Sequence, residues 1–181
     1  MNRIALIDTA TASPDVKPTL EQIQRALGAT PAMFRAVANS PAALKSMWAS
    51  FGALGAGTLG PRLGELIAVA VAQRNGCAYC LAAHHALGLN AGATESELTA
   101  AQDGHSRDAR TQAAIRFALK LVDARGQVSA VELQALRGAG FSDAQVVEVI
   151  AHVALNLFTN YANIALDTPV DFPAVALKRA A

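Results

Sequence analysis

From Leu63 to Gln73 the chain reads Leu-Gly-Glu-Leu-Ile-Ala-Val-Ala-Val-Ala-Gln, apolar at every helical phase except Glu65. A helix that is apolar all round must be buried on all sides, so this segment predicts a central helix wrapped by others. Asn75-Gly76 ends it, and the next helix is expected to start near Cys77 and run to Leu87 or Leu89. The two make a helical hairpin. Alanine fills 41 of 181 positions while aromatic residues are only 5%. Such a chain favours close-packed helices over a sandwich or barrel, which would want β-branched and aromatic residues. No strand-like alternation competes, so the expected fold is all-α with about nine helices.

The remaining punctuation fits that class. Residues 1–17 read as an irregular N-terminal arm, with prolines at 14 and 18. Thr19 with Gln22 suggests a capping box ahead of Leu20, Ile23 and Leu27, and Gly28 stops that helix. Pro31 opens a short helix through Val37, and Ser40-Pro41 opens one carrying Leu44, Met47, Trp48 and Phe51. Gly52 to Gly60 reads as a loop. Thr94/Glu97, Ser129/Glu132 and Ser142/Gln145 are further capping boxes, with a long amphipathic helix from about Asp108 to Ala124 between the first two. The last helix runs from Val146 to about Leu166. We expect one domain over 1–181, with a helical subregion at 19–54 docked on a core at 61–166.

Charge narrows the partners. Lys and Arg total 15 against 14 Asp and Glu, with no basic cluster, which disfavours nucleic acid and anionic membrane surfaces. The longest wholly apolar run is Leu66 to Ala72, well short of the roughly 20 residues that span a bilayer. The start shows no apolar core of signal-peptide length, and a cytoplasmic location is the expectation. Charged residues are only 16%, below the typical quarter or so, which suggests a homo-oligomer.

In a reducing compartment Cys77 and Cys80 are a poor structural staple. At a helix start the backbone N–H groups and macrodipole favour a thiolate, and the Cys-x-x-Cys spacing lets the two sulfurs close a disulfide. His84 lies one turn beyond Cys80 on the same face, where it can take the thiol proton or, charged, hold the thiolate. Folding back at Asn75-Gly76 brings Glu65 level with residues 84 to 88, beside His84. A carboxylate buried there must be paired or protonated. Sulfur, imidazole and carboxylate then form a proton relay.

Blander roles compete for the same residues. Zinc could use Cys77 and Cys80 with His84 or His85, but a four-coordinate site needs a further ligand, and His105 and His152 are remote in sequence. Glu65 could be an ordinary salt-bridge partner. His85 points about 100° from His84 and reads as structural, His105 as a solvated loop residue, His152 as a core histidine. Asn156, Asn160 and Asn163 recur at helical spacing and read as an interhelix or interface network ahead of any role in lining a pocket. No cofactor and no metal is called for.

The pattern Glu65-x11-Cys77-x2-Cys80-x3-His84 in an all-helical chain resembles the carboxymuconolactone decarboxylase superfamily, and specifically its alkylhydroperoxidase D-like, peroxidase-related branch. The resemblance implies a helical bundle assembled as trimers or hexamers and a peroxidase-type oxidoreductase acting on hydroperoxides. It implies that Cys80 attacks the peroxide, that Cys77 resolves the product as a disulfide, and that Glu65 and His84 relay protons. It also implies re-reduction by a dithiol or an adaptor protein, dihydrolipoyl-type or thioredoxin-like. One departure is Tyr79, a candidate pocket residue where the best-known members carry histidine; tyrosine, with an unperturbed pKa near 10, is a poor base at neutral pH. A lactone decarboxylase, which generally lacks the paired cysteines, and a non-catalytic helical oligomer are the alternatives.

Overall fold

The computed structural model describes residues 3–178. Among them are nine helices and no strand: α1 (Lys17–Leu27), α2 (Ala32–Val37), α3 (Pro41–Gly55), α4 (Pro61–Asn75), α5 (Ala78–Asn90), α6 (Glu95–Gln102), α7 (Ala109–Asp123), α8 (Ala130–Gly138) and α9 (Asp143–Leu166). Met1 and Asn2 of the expected arm lie outside the described residues. The three capping boxes at Thr94, Ser129 and Ser142 all form. Gly28 and Gly76 end their helices with positive φ, which only a residue without Cβ adopts cheaply.

Two boundaries differ from the sequence-based expectation. The capping box at Thr19 does not form, because α1 starts at Lys17 and Thr19 is already buried inside its first turn. Pro18 explains this, since its fixed φ and missing N–H suit a first turn. Val16 and Lys17 both donate backbone N–H to the Ser13 carbonyl, which sets the entry. The expected glycine loop is also shorter, because α3 continues through Gly55. Glycine near a helix end costs only about 1 kcal/mol, and the edge-on packing of Phe51 against Phe34 holds the last turn in place.

The central position of α4 explains why it is apolar all round. Leu66, Val69, Ala70 and Ala72 face a cluster built with α1, α2, α3 and α5, including Leu20, Phe34, Leu44 and Leu81. Leu63, Ile67 and Val71, four residues apart, face a second cluster with Phe117, Leu121, Leu136, Val149 and Val153. One helix therefore closes two cores. α5 folds back along α4, and α9 packs on α4, α7, α3, α2 and α5. Gly88 lets α5 come close: a Cβ there would lie 2.6 Å from Leu98 Cδ2 and 3.6 Å from Glu65 Cβ.

α9 is long and apolar enough, by length and composition alone, to cross a membrane. Its inner face explains part of that character, since Val146, Val149, Val153 and three asparagines are buried against neighbouring helices. Beyond Asp167 the chain runs back over the bundle. Gln73 and Gln102 side chains bond the backbone of residues 176 and 178, and the Asp171 carboxylate accepts from Ala32 N–H at 2.6 Å. That return carries Phe172 against Tyr79, ring centroids 5.7 Å apart.

Candidate active site

Cys77 is the N-cap of α5, where its sulfur accepts from Cys80 N–H at 3.3 Å, replacing the usual hydroxyl or carboxylate cap. Both cysteines are reduced. The Cys77 thiol donates to Cys80 Sγ at 2.8 Å, and Asn163 Nδ2 donates to the same sulfur at 3.2 Å from α9. Cys80 is therefore the acceptor and the thiolate of the pair. Its pKa is drawn down to about 7, first by the Cys77 hydrogen bond, then against burial by the charge of His84, by the bond from Asn163 and by the nearby Asn160 amide. Cys77 moves the other way, raised by its bond to Cys80 and by burial.

The hairpin places Glu65 where its spacing predicts. Glu65 Oε2 and His84 Nδ1 are 2.8 Å apart between α4 and α5. Burial by itself would lower the His84 pKa; the Glu65 charge and hydrogen bond, helped by the charge of Cys80, outweigh it and raise the net value. The opposite shifts favour a charged imidazole beside a Cys80 thiolate, each charge stabilising the other. Glu65, Cys77, Cys80 and His84 form one cluster.

Two cavities meet at this cluster. The larger, about 390 Å³, is walled by Phe34, Trp48, Phe51, Leu87 and Phe172, and reaches Cys80 and His84. The smaller, about 130 Å³, lies on the other side of the imidazole and is lined by Glu65, His84, His152 and Asn156. Phe51 and His84 belong to both walls. Tyr79 lines the larger cavity as expected, but as a fixed wall: its hydroxyl accepts from Met33 N–H at 3.2 Å and bonds Asp171, and burial raises its pKa well above the usual phenol range.

Other residues fall differently. His85 pairs with Glu95 of α6 at 3.1 Å, and His105 is exposed between α6 and α7. A position at the start of a helix would suggest an exposed sulfur at Cys77, and the structure places it otherwise. Cys77 is 1% exposed and Cys80 2%, and of the two only Cys80 lines the large cavity. A helix N-terminus is open only where no other element crosses it, and here Cys77 lies in the same buried cluster as Val16, Leu20 and Phe34. The asparagine stripe is also more than a network. Asn163 bonds Cys80, Asn160 lies near the same sulfur while its Oδ1 accepts from Asn75 at 2.8 Å, and Asn156 lines the small cavity. Their signal was the polar recurrence in an apolar helix; the thiol as its target was not readable.

Residues 41–124 match the carboxymuconolactone decarboxylase family. Among solved structures, a peroxidase-related protein from Silicibacter sp. TM1040 is 24% identical with a TM-score of 0.81, over 93% of this chain and 91% of its own. A peroxidase-related protein with an alkylhydroperoxidase AhpD core, from Ralstonia eutropha JMP134, is 24% identical at 0.81, over 94% and 92%. A variant of the debrominase Bmp8 in complex with 2,3,4-tribromopyrrole is 19% identical at 0.79, over 93% and 91%. At these identities the likeness is one of fold. No curated protein matches significantly in sequence.

Proposed function

Since residues 41–124 match the carboxymuconolactone decarboxylase family and the chain has the AhpD-like fold, we propose that it is a thiol-dependent hydroperoxide reductase. The observation that carries this reading is Cys80, a sulfur with a pKa near 7, one hydrogen bond from a second thiol and open to an apolar cavity. Thiolates attack the O–O bond, and the leaving alkoxide needs a proton within reach. Cys80 Sγ takes the terminal oxygen and becomes a sulfenic acid, while the His84 imidazolium protonates the alkoxide to ROH. Cys77 then attacks Cys80, closing the disulfide, and its proton leaves with the hydroxide as water. Two thiols and ROOH give a disulfide, ROH and H₂O. Glu65 holds the charged imidazole in orientation.

Cavity chemistry narrows the substrate. Aromatic and aliphatic walls suit an organic hydroperoxide with a bulky apolar body better than hydrogen peroxide, which gains nothing from them. A lactone carboxylate is poorly served, since the described lining residues include Asp171 and neither Lys nor Arg. Burial of Cys77 also bears on the reductant: a slim dithiol of dihydrolipoyl type can enter the large cavity, whereas a thioredoxin-like protein needs Phe172 and its segment displaced. A second reading, reductive dehalogenation of a haloarene by the same thiol pair, is favoured by the aromatic walls and by the fold shared with Bmp8.

The test is thiol counting before and after one equivalent of an aryl hydroperoxide, then turnover with dihydrolipoamide or a thioredoxin system. Loss of two thiols within a monomer on non-reducing gels, with turnover on dihydrolipoamide, supports the peroxidase. Halide release from a bromopyrrole without peroxide consumption moves the assignment to the second reading.

A further inference from the structure

The small cavity behind His84 has no part in substrate binding, yet it holds a second imidazole. His152 enters it through a notch in α4, where its Cε1 lies 3.2 Å from the place a Cβ on residue 64 would occupy. Glycine at 64 is what admits the ring, one residue from Glu65. Among the described residues no protein group is hydrogen-bonded to either ring nitrogen of His152. Glu65 and His84 line the same space, and Glu148, one turn earlier on α9, spans toward the surface with its carboxylate on Thr58 and Leu59. Three helices thus bring Glu65, His84 and His152 around one small cavity, which shares the His84 ring and Phe51 with the wall of the larger one.

The chemistry leaves a proton to be recovered there. In the proposed cycle His84 gives its proton to the alkoxide, so the oxidised enzyme holds a neutral imidazole. A dithiol reductant attacks as a thiolate, having left one proton in bulk water. One thiolate, one thiol, the enzyme disulfide and one proton from water then give the oxidised reductant, the Cys77 thiol, the Cys80 thiolate and the His84 imidazolium. Atoms and charge balance only with that proton. The large cavity is a poor route, being apolar and filled by the reductant itself.

We infer that His152 is a positioning residue acting through Glu65 and His84, carrying this proton from solvent to the pair across the small cavity. The inference rests on the thiol chemistry proposed above. Burial holds the His152 pKa below its ordinary value, with the His84 charge acting the same way and Glu65 and Glu148 opposing. A neutral imidazole with both nitrogens free can accept at one and donate at the other.

The experiment starts from protein whose Cys77–Cys80 disulfide has been formed with diamide, so it does not depend on peroxide being the substrate. Reduction by dihydrolipoamide is followed by thiolate absorbance, and the bulk proton balance by a pH-indicator dye. In the wild type the proton lost by the dithiol and the one taken up by the pair should cancel, leaving the dye flat. In His152→Gln, which keeps size and polarity but cannot relay, a transient acidification should persist tenfold or more longer than thiolate formation takes, and added imidazole should abolish it. A flat dye signal in the variant overturns the inference, as does slower thiolate formation with no acidification and no imidazole rescue. Failure of the reduced wild type to consume hydroperoxide would overturn the peroxidase reading alone.

Discussion

Asn163 on α9 donates its Nδ2 to Cys80 Sγ on α5 across 3.2 Å, between residues 83 positions apart in the chain. A bond to a charged acceptor contributes about 1.5–3 kcal/mol, and one pKa unit corresponds to about 1.4 kcal/mol. Asn163→Ala should therefore raise the Cys80 pKa by about one unit, from about 7, and slow the first peroxide oxidation at pH 7 by about fivefold as the thiolate fraction falls. Titration of thiolate absorbance checks the first and stopped-flow the second. An unmoved midpoint would mean that Asn163 serves packing alone.

The pH profile has two limbs with opposite signs. Cys80 has a lowered pKa, so its thiolate populates as pH rises through about 7 and sets the acid limb. His84 has a raised one, so the proton donor persists above its ordinary range and sets the alkaline limb. Glu65→Gln removes the charge that opposes burial, so His84 should lose its proton at lower pH. Its alkaline limb should shift down and its rate fall about 10²-fold, the usual scale of general acid–base help. A profile unchanged in shape, in a variant that merely unfolds more easily, would return Glu65 to a structural salt bridge.

Local spacing made much of this legible. The run at 63–73 and the turn at Asn75-Gly76 put the hairpin and the Glu65–His84 contact in the sequence, because both depend on one short connection. What spacing cannot carry is a crossing between distant elements. The target of Asn163 depends on α9 meeting α5, and the burial of Cys77 depends on a cluster drawn from α1, α2 and α3. The α1 start was misread for a local reason, a Thr-x-x-Gln pattern overruled by a better first-turn residue one position before it.

The outer face of α9 carries a self-association prediction. Val147, Ile150, Phe158, Tyr161 and Ile164 are 39–63% exposed and, with the exposed Ala154 between Ile150 and Phe158, recur at three- and four-residue steps along one stripe, with no charge among them. We propose that copies of this chain cover it, in line with the low overall charge. Light scattering at micromolar concentration should find an oligomer, with a trimer or its multiple expected from the family, and Tyr161→Glu should shift it toward monomer. A clean wild-type monomer would leave the stripe without that role.

The assignment of Cys80 as attacking sulfur and Cys77 as resolving sulfur is the central claim, and it is tested most directly by trapping the oxidised intermediate. Cys80 accepts the Cys77 hydrogen bond, lies in the field of His84 and opens on the large cavity, whereas the pKa of Cys77 is raised and its sulfur is enclosed. After brief treatment with an organic hydroperoxide and a sulfenic-acid trap, mass spectrometry should find the adduct on Cys80 in Cys77→Ser. In Cys80→Ser it should find little or no oxidation of Cys77. An adduct on Cys77 would reverse the roles, and slow, equal oxidation in both variants would contradict the peroxidase altogether.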